Sequence, residues 1–317
     1  MIRPTLGALL VAAILAPAAL ADDWKFDPKS RPKAKVGQKK TEEGETHQTE
    51  VSSISVAEQG EVKKEDKEDR VVFKLHREVK AVDKDKTTEE VVTVEKWVRT
   101  ATGEPEDKSL EGQKFVLVRN ADGKSFTLPD DKEGKVSDGA KAWIQEYYAK
   151  KKKKHQKKGP DEDKEADHDD DNGAAKFFPT KPVADGEEWT ADPTLLAKEI
   201  FGEGDIIDAA KSSAKGKLSK VRVEGGVHHG LIEVKIHFKL KSLPNMPKEM
   251  QFEWTDGGDF HMTVAVDGCL DLEKMGGGTF NITGALKGEA KFNAQGQDAS
   301  LKMDVKQKIA VKSSPGK

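Results

Sequence analysis

The chain has 317 residues, 54 basic and 57 acidic side chains, a formal charge of −3, and equal shares, 35% each, of hydrophobic and charged residues. A charge so near balance excludes a reader of phosphate backbones, which needs a clear basic excess, so nucleic acid is not expected as a partner. The low apolar fraction assigns part of the length to solvated tail or linker and leaves roughly 200 residues for a folded core.

Residues 1–21 carry Arg3, an apolar run over 6–15, Pro17 and the small-x-small site Ala19-Leu20-Ala21. This is the pattern of a secretory signal peptide cleaved after Ala21, too short for a membrane anchor. It places the mature protein in a periplasm or outside the cell. Its removal takes one cation, Arg3, and moves the charge from −3 to −4. No cysteine stands at the cleavage point, so a lipoprotein is not expected. No later apolar stretch reaches the roughly 18 to 20 residues of a transmembrane helix, so no integral membrane segment is expected after cleavage. The single cysteine, Cys269, has no partner for an intramolecular disulfide and reads as a small buried hydrophobe in a strand.

Residues 22–70 are dominated by Lys, Glu, Asp, Gln, Thr and Ser, with Trp24, Phe26 and the 51–56 patch as their apolar groups. A stretch that buries so little does not offset a backbone ordering cost of about 1 to 2 kcal/mol per residue, and it is expected to be disordered. Residues 71–149 read as a β-meander plus a helix. Phe73, Leu75 and Val79 alternate with polar residues, Val92 and Val94 do the same, and a third run covers 115–118 before the turn Asn120-Ala121-Asp122-Gly123. Ser137 is a helix N-cap, and Trp143, Ile144, Tyr147 and Tyr148 share one helical face. Residues 150–176 form a low-complexity linker, a lysine block followed by an aspartate block.

Residues 177–312 form a β-rich part of the same or a second domain. Asp192 caps a helix with Pro193 in its first position, Leu196 and Ile200 on one face, and Gly202 as its stop. Residues 205–215 are read as a short helix. The strongest strand signal is Ile232, Val234, Ile236, Phe238 and Leu240 against Glu233, Lys235, His237, Lys239 and Lys241. Met250, Phe252 and Trp254 repeat it, as do Phe260, Met262, Val264 and Val266, then Phe280 and Ile282, then Leu301, Met303 and Val305, with glycine-rich turns between. The expected fold is α+β and mainly antiparallel: a curved meander of seven or eight strands packed against two short helices.

The motifs that carry chemistry fail on inspection. Gly123-Lys124-Ser125 matches the end of a P-loop, but Val118 stands where its first glycine belongs and the triplet sits in a hairpin. Asp167, Asp169, Asp171 and Gly173 resemble part of a calcium loop, with Asn172 at the turn glycine and Phe178 at the closing acid. His228-His229 reads as exposed turn residues; a metal shell there needs help from His237 or His261, so no metal and no cofactor are expected. No catalytic residue is assigned.

The element Pro182-Val183-x-x-Gly186-Glu187-x-Trp189, followed by a short helix and a Gly-punctuated meander, resembles a group of exported bacterial proteins to which no activity is assigned. The resemblance covers 177–311 and implies export and a β-rich fold. The reading is therefore a non-catalytic cell-envelope protein binding an apolar small molecule or a protein partner, with Phe238, Phe252, Trp254, Phe260 and Met262 as the lining. Plain core is the favoured view of the same five residues taken alone. The alternative function is a secreted hydrolase with a site built from scattered acids and histidines, which a convergence of His228, His261 and a carboxylate would favour.

Overall fold

A computed structural model describes residues 24–27, 34–56, 60–83, 86–120, 123–127, 136–148, 176–202, 205–243, 252–271, 277–294 and 297–316. Its strands are β1 (Lys39–Val56), β2 (Gly60–Asp83), β3 (Lys86–Ala101), β4 (Lys114–Asn120), β5 (Gly123–Thr127), β6 (Glu188–Thr190), β7 (Ser213–Glu224), β8 (Val227–Lys239), β9 (Phe252–Cys269), β10 (Gly278–Ala294) and β11 (Gln297–Pro315). The helices are α1 (Asp138–Tyr148) and α2 (Pro193–Phe201). All eleven strands belong to one open antiparallel sheet, in the order β5-β4-β3-β2-β1-β11-β10-β9-β8-β7-β6. Two meanders run outward from the middle, where the first and last strands pair over most of their length, from Lys40 opposite Pro315 to Val56 opposite Ala299.

Directly paired residues share a face, so one row of pairs locates the helices. Ile232, Val266, Phe280, Val311, Gly44, Phe73 and Trp97 are successive partners from β8 to β3. At one end of the sheet Phe201 of α2 packs on Phe238 and Phe260, which lie on the same face as Ile232. At the other end Trp143 of α1 packs on Phe73 and Trp97. Both helices therefore sit on one face, over opposite ends of the sheet. Each roofs its own core: Leu196, Ala197, Ile232, Val234, Ile236 and Phe238 under α2, and Phe73, Leu75, Val92, Trp97, Phe115 and Ile144 under α1.

Local chemistry places both helices where the sequence puts them. Asp192 accepts from the amides of Thr194 (2.8 Å) and Leu195 (3.4 Å), Pro193 opens α2, and Gly202 closes it in the left-handed region at φ 82°. Ser137 Oγ accepts from Ala140 N at 3.0 Å at the start of α1. Asp107 accepts from the same hydroxyl and from Ser109 N; although burial raises its pKa, these hydrogen bonds hold the carboxyl below its ordinary value. The hairpin expected around Gly123 is the β4–β5 pair, with Asn120 opposite Gly123.

Several expectations are corrected. Residues 39–56 and 60–70, read as too polar to order, form β1 and the first half of β2. Within β1 only Glu42 is buried, so what orders this strand is not a core: its backbone pairs with β2 on one edge and β11 on the other. Cross-strand ion pairs such as Arg70–Glu45 (2.7 Å) and His47–Glu68 (2.8 Å) accompany the pairing. Phe26 is fully buried in the α2 core and exchanges backbone hydrogen bonds with Val183 at 2.8 and 3.1 Å, and Trp24 stacks on His228 with ring centroids 4.3 Å apart.

The strand count rises from seven or eight to eleven. Residues 205–215 hold only a 3-10 turn, Ala209–Lys211, before β7 begins. Phe252–Trp254 and Phe260–Val266, read as two strands around an Asp256-Gly257-Gly258 turn, are one strand, β9. Its two glycines have φ of 73° and 72°, and the pairing with β10 shifts register beside them; they form a bulge that lets the strand continue. The leader at 1–21, the linker at 150–175 and the calcium-like aspartates lie outside the described residues.

Candidate functional site

The helix-bearing face of the sheet carries an apolar strip that runs out from under α2 toward the middle strands. Four rows define it, each set by strand pairing. From β8 to β11 they read Ile232–Val266–Phe280–Val311, Val234–Val264–Ile282–Ile309, Ile236–Met262–Gly284–Gln307 and Phe238–Phe260–Leu286–Val305. The β8 members are buried under α2. Exposure grows toward β11: Ile282 and Leu286 still pack against the α2 core but, like Val305 and Ile309, are partly exposed, and Phe280 reaches 37%. On β1 the rows end in Gly44, Thr46, Gln48 and Glu50: the first row joins the α1 core, against which Val311 packs, and the other three turn polar. The opposite face of the same strands carries Lys287, Lys302, Lys306 and Lys308. A sheet apolar on one side and charged on the other is what alternation at period two produces.

All five residues expected to line a site lie on the helix-bearing face. Phe238 is fully buried beneath Phe201, ring centroids 6.0 Å apart, and belongs to the α2 core. Phe260 stacks beside it at 5.9 Å and also meets Phe201 at 5.1 Å, at the boundary between core and strip. Met262 is partly exposed, next to Gly284. Beyond the bulge, Phe252 and Trp254 pack edge to face at 5.0 Å. The Trp254 ring lies across Gly258 and Gly288, where a Cβ would come within 2.7 and 2.5 Å of it, and this close fit holds the bulge against β10. The β10 and β11 members of the strip, Ile282, Leu286, Val305 and Ile309, were missed as lining. Alternation gives the side a residue faces, but not whether anything covers it.

The histidines do not converge. His228 lies on the helix-bearing face, its Nδ1 3.2 Å from Asp271 Oδ1, while His261 lies on the opposite face, stacked on His237 at 4.6 Å. His228 and His229 are not turn residues but the start of β8, pointing to opposite sides. Asp259 accepts from His237 Nε2 at 2.9 Å and Lys239 Nζ at 3.1 Å. Burial pushes its carboxyl up, and these hydrogen bonds with the lysine charge more than offset it, leaving the pKa below its ordinary value. Cys269 is partly buried and donates through Sγ to the Asp271 carbonyl at 3.3 Å. Among the described residues, no three His, Cys, Asp or Glu side chains are grouped to hold a metal ion, and no helix is long and apolar enough to cross a membrane.

No protein-family model and no curated protein matches this chain. Among solved structures, one of lipid–protein interactions in lipovitellin is similar over 89% of this chain and 26% of that chain, at 8% identity and a TM-score of 0.31. The crystal structure of the toluene transporter TodX of P. putida is similar over 91% of this chain and 93% of that one, at 7% identity and a TM-score of 0.15. The chain thus spans about a quarter of the lipovitellin chain it matches (26%).

Proposed function

We propose that the protein is exported and non-catalytic, and that it binds an apolar small molecule on the partly exposed strip of its helix-bearing face. The observation that carries this reading is the run of partly exposed Phe280, Ile282, Leu286, Val305 and Ile309 on a face whose two ends are roofed by helices. Folded chains rarely leave a contiguous apolar surface in water unless something binds there. Apolar lining with a few polar groups at its border, here Gln307 and Gln48, is the usual make-up of a ligand site. Export rests on Arg3, the apolar run and Ala19-Leu20-Ala21. The hydrolase alternative lacks its constellation, since His228 and His261 face opposite ways.

Binding of N-phenyl-1-naphthylamine, an uncharged dye that brightens in apolar surroundings, tests the reading. The chain from residue 22 onward should enhance its fluorescence. Leu286→Glu should abolish the signal with circular dichroism unchanged, and Lys308→Glu on the other face should leave it intact. No enhancement, or equal enhancement by Leu286→Glu, contradicts the proposal. Self-association that Leu286→Glu disrupts, without dye binding, assigns the strip to a protein partner instead.

A further inference from the structure

One glycine in this sheet has no structural reason to be a glycine. Elsewhere in the described strand interiors the reason is visible. A Cβ on Gly44 would lie 2.5 Å from the Ala310 carbonyl oxygen and 3.0 Å from the Phe73 ring, and one on Gly216 would lie 2.0 Å from the Trp189 ring. Gly230 is crowded by Leu270 at 2.8 Å, Gly257 by the Lys287 carbonyl at 2.5 Å, Gly258 and Gly288 by Trp254, and Gly268 by the Gly278 backbone at 2.8 Å. At Gly284 a Cβ would find only ordinary contacts, 3.9 Å to the His261 carbonyl oxygen and 4.0 Å to Gln307 Cβ, and the backbone there is not in the left-handed region. A glycine in mid-strand weakens the strand; where neither φ nor a neighbour demands it, it marks a place where something else comes close to the backbone.

Gly284 lies near the middle of the partly exposed strip. Met262 and Gln307 flank it across the strands, Ile282 and Leu286 along its own, and the diagonal positions are apolar. Strand geometry sets the Ile282 and Leu286 backbones about 13 Å apart and those of Met262 and Gln307 about 9.5 Å apart, and between these four side chains Gly284 contributes none. Its row runs from Met262 through Gly284 to the amides of Gln307 and Gln48, both exposed, and then to Asp69, whose charge is taken up by Arg99 at 2.7 Å. The ionised side chains of β11 around this position, Lys306 and Lys308, are on the other face; on this face the charges nearest Gln48 besides Asp69 are Glu50 of β1 and Lys67 of β2, directly opposite each other.

We propose that the ligand is an amphiphile with one unbranched alkyl chain and an uncharged, hydrogen-bonding head group, that its chain meets the sheet backbone at Gly284, and that its head reaches Gln307 and Gln48. The proposal rests on the carrier reading above and narrows it. Chemical complementarity selects this occupant: an uncharged notch fits an alkyl chain, and two neutral amides fit hydroxyl or ester oxygens without the cost of burying a charge.

The test is titration of the chain from residue 22 onward with 1-palmitoylglycerol, read by displacement of the naphthylamine dye. Gly284→Val should weaken binding at least tenfold and Gly284→Ala at least threefold, both with an unchanged or raised thermal midpoint. Ala285→Val, on the opposite face, should stay within twofold of the parent. The alanine variant adds a single methyl group with room to fit, so it decides the matter if the valine variant folds poorly. Parent-like affinity in a folded Gly284 variant overturns the role of Gly284 while leaving the carrier reading intact. Dye binding without 1-palmitoylglycerol binding overturns the ligand class. Binding of neither overturns the carrier reading and this inference with it.

Discussion

Arg77→Met is expected to destabilise the fold by about 3 kcal/mol at neutral pH, the low end of the roughly 3 to 5 kcal/mol for breaking a buried ion pair from one side. Arg77 joins three strands: Nη1 donates to Glu42 Oε1 of β1 at 3.0 Å, and Nε to Glu90 Oε2 of β3 at 3.1 Å. The side chains are 17, 6 and 18% exposed for Arg77, Glu42 and Glu90, so water does little to replace the guanidinium. Lys40 Nζ remains 2.8 Å from Glu42, which keeps the loss at the lower end. Methionine preserves the packing of the stem and removes only the charge and its donors. Burial raises the pKa of Glu42, but the Arg77 and Lys40 charges and hydrogen bonds outweigh it, so the folded value lies below 4.5. A carboxyl depressed in the folded state stabilises above its unfolded pKa and loses that contribution as pH falls through the folded value. The gap between parent and variant should therefore be widest at pH 7 and shrink below about pH 4. Urea unfolding followed by circular dichroism at pH 7 and pH 3.5 measures it; at roughly 2 to 4 °C per kcal/mol, the neutral thermal midpoint should drop by about 6 to 12 °C. A gap under 1 kcal/mol, or one equal at the two pH values, would refute this account of how β1 is held.

Two further outcomes follow from the packing of the α2 end. Phe238→Ala should cost about 3 to 5 kcal/mol, because the ring is fully buried beneath Phe201; Phe252→Ala, on a partly exposed ring, should cost clearly less in the same thermal melt. Gly216→Ala should push the Trp189 indole off its seat and break its hydrogen bond to the Phe177 carbonyl, 3.1 Å long. The expected penalty is about 1 to 3 kcal/mol, accompanied by a change in near-ultraviolet circular dichroism from the displaced indole.

The sequence made the faces of the sheet legible and left its extent obscure. Ile232 through Phe238 alternate without a break, and they form the buried stripe of β8. Asp192, Pro193 and Gly202 specify α2 because each supplies a chemical group or a backbone angle that a helix end requires. Strand β1 was not legible: Thr46, Gln48 and Glu50 bury little, the buried Glu42 is itself polar, and what orders the strand is a pair of neighbours distant in sequence. Gly257-Gly258 reads equally as a turn or a bulge, and only the Trp254 ring lying over Gly258 and Gly288 decides for the bulge. For the candidate site, the lining on β9 was readable as an apolar stripe. That Phe238 is core whereas Ile282 and Ile309 are partly exposed depends on where α2 ends, and this is a tertiary fact. Gly284 carried a signal, a glycine amid strand residues, but its meaning emerged only when the other strand glycines had their neighbours.

Native mass spectrometry of the chain from residue 22 onward, purified from cells without detergent, tests the central claim most directly. An occupied strip predicts a population heavier than the polypeptide by a constant mass, lost on solvent extraction, restored by added 1-palmitoylglycerol and absent from Leu286→Glu. A polypeptide that carries no extra mass from the cell and takes up no amphiphile when offered one would contradict the claim that the partly exposed apolar strip is a ligand site.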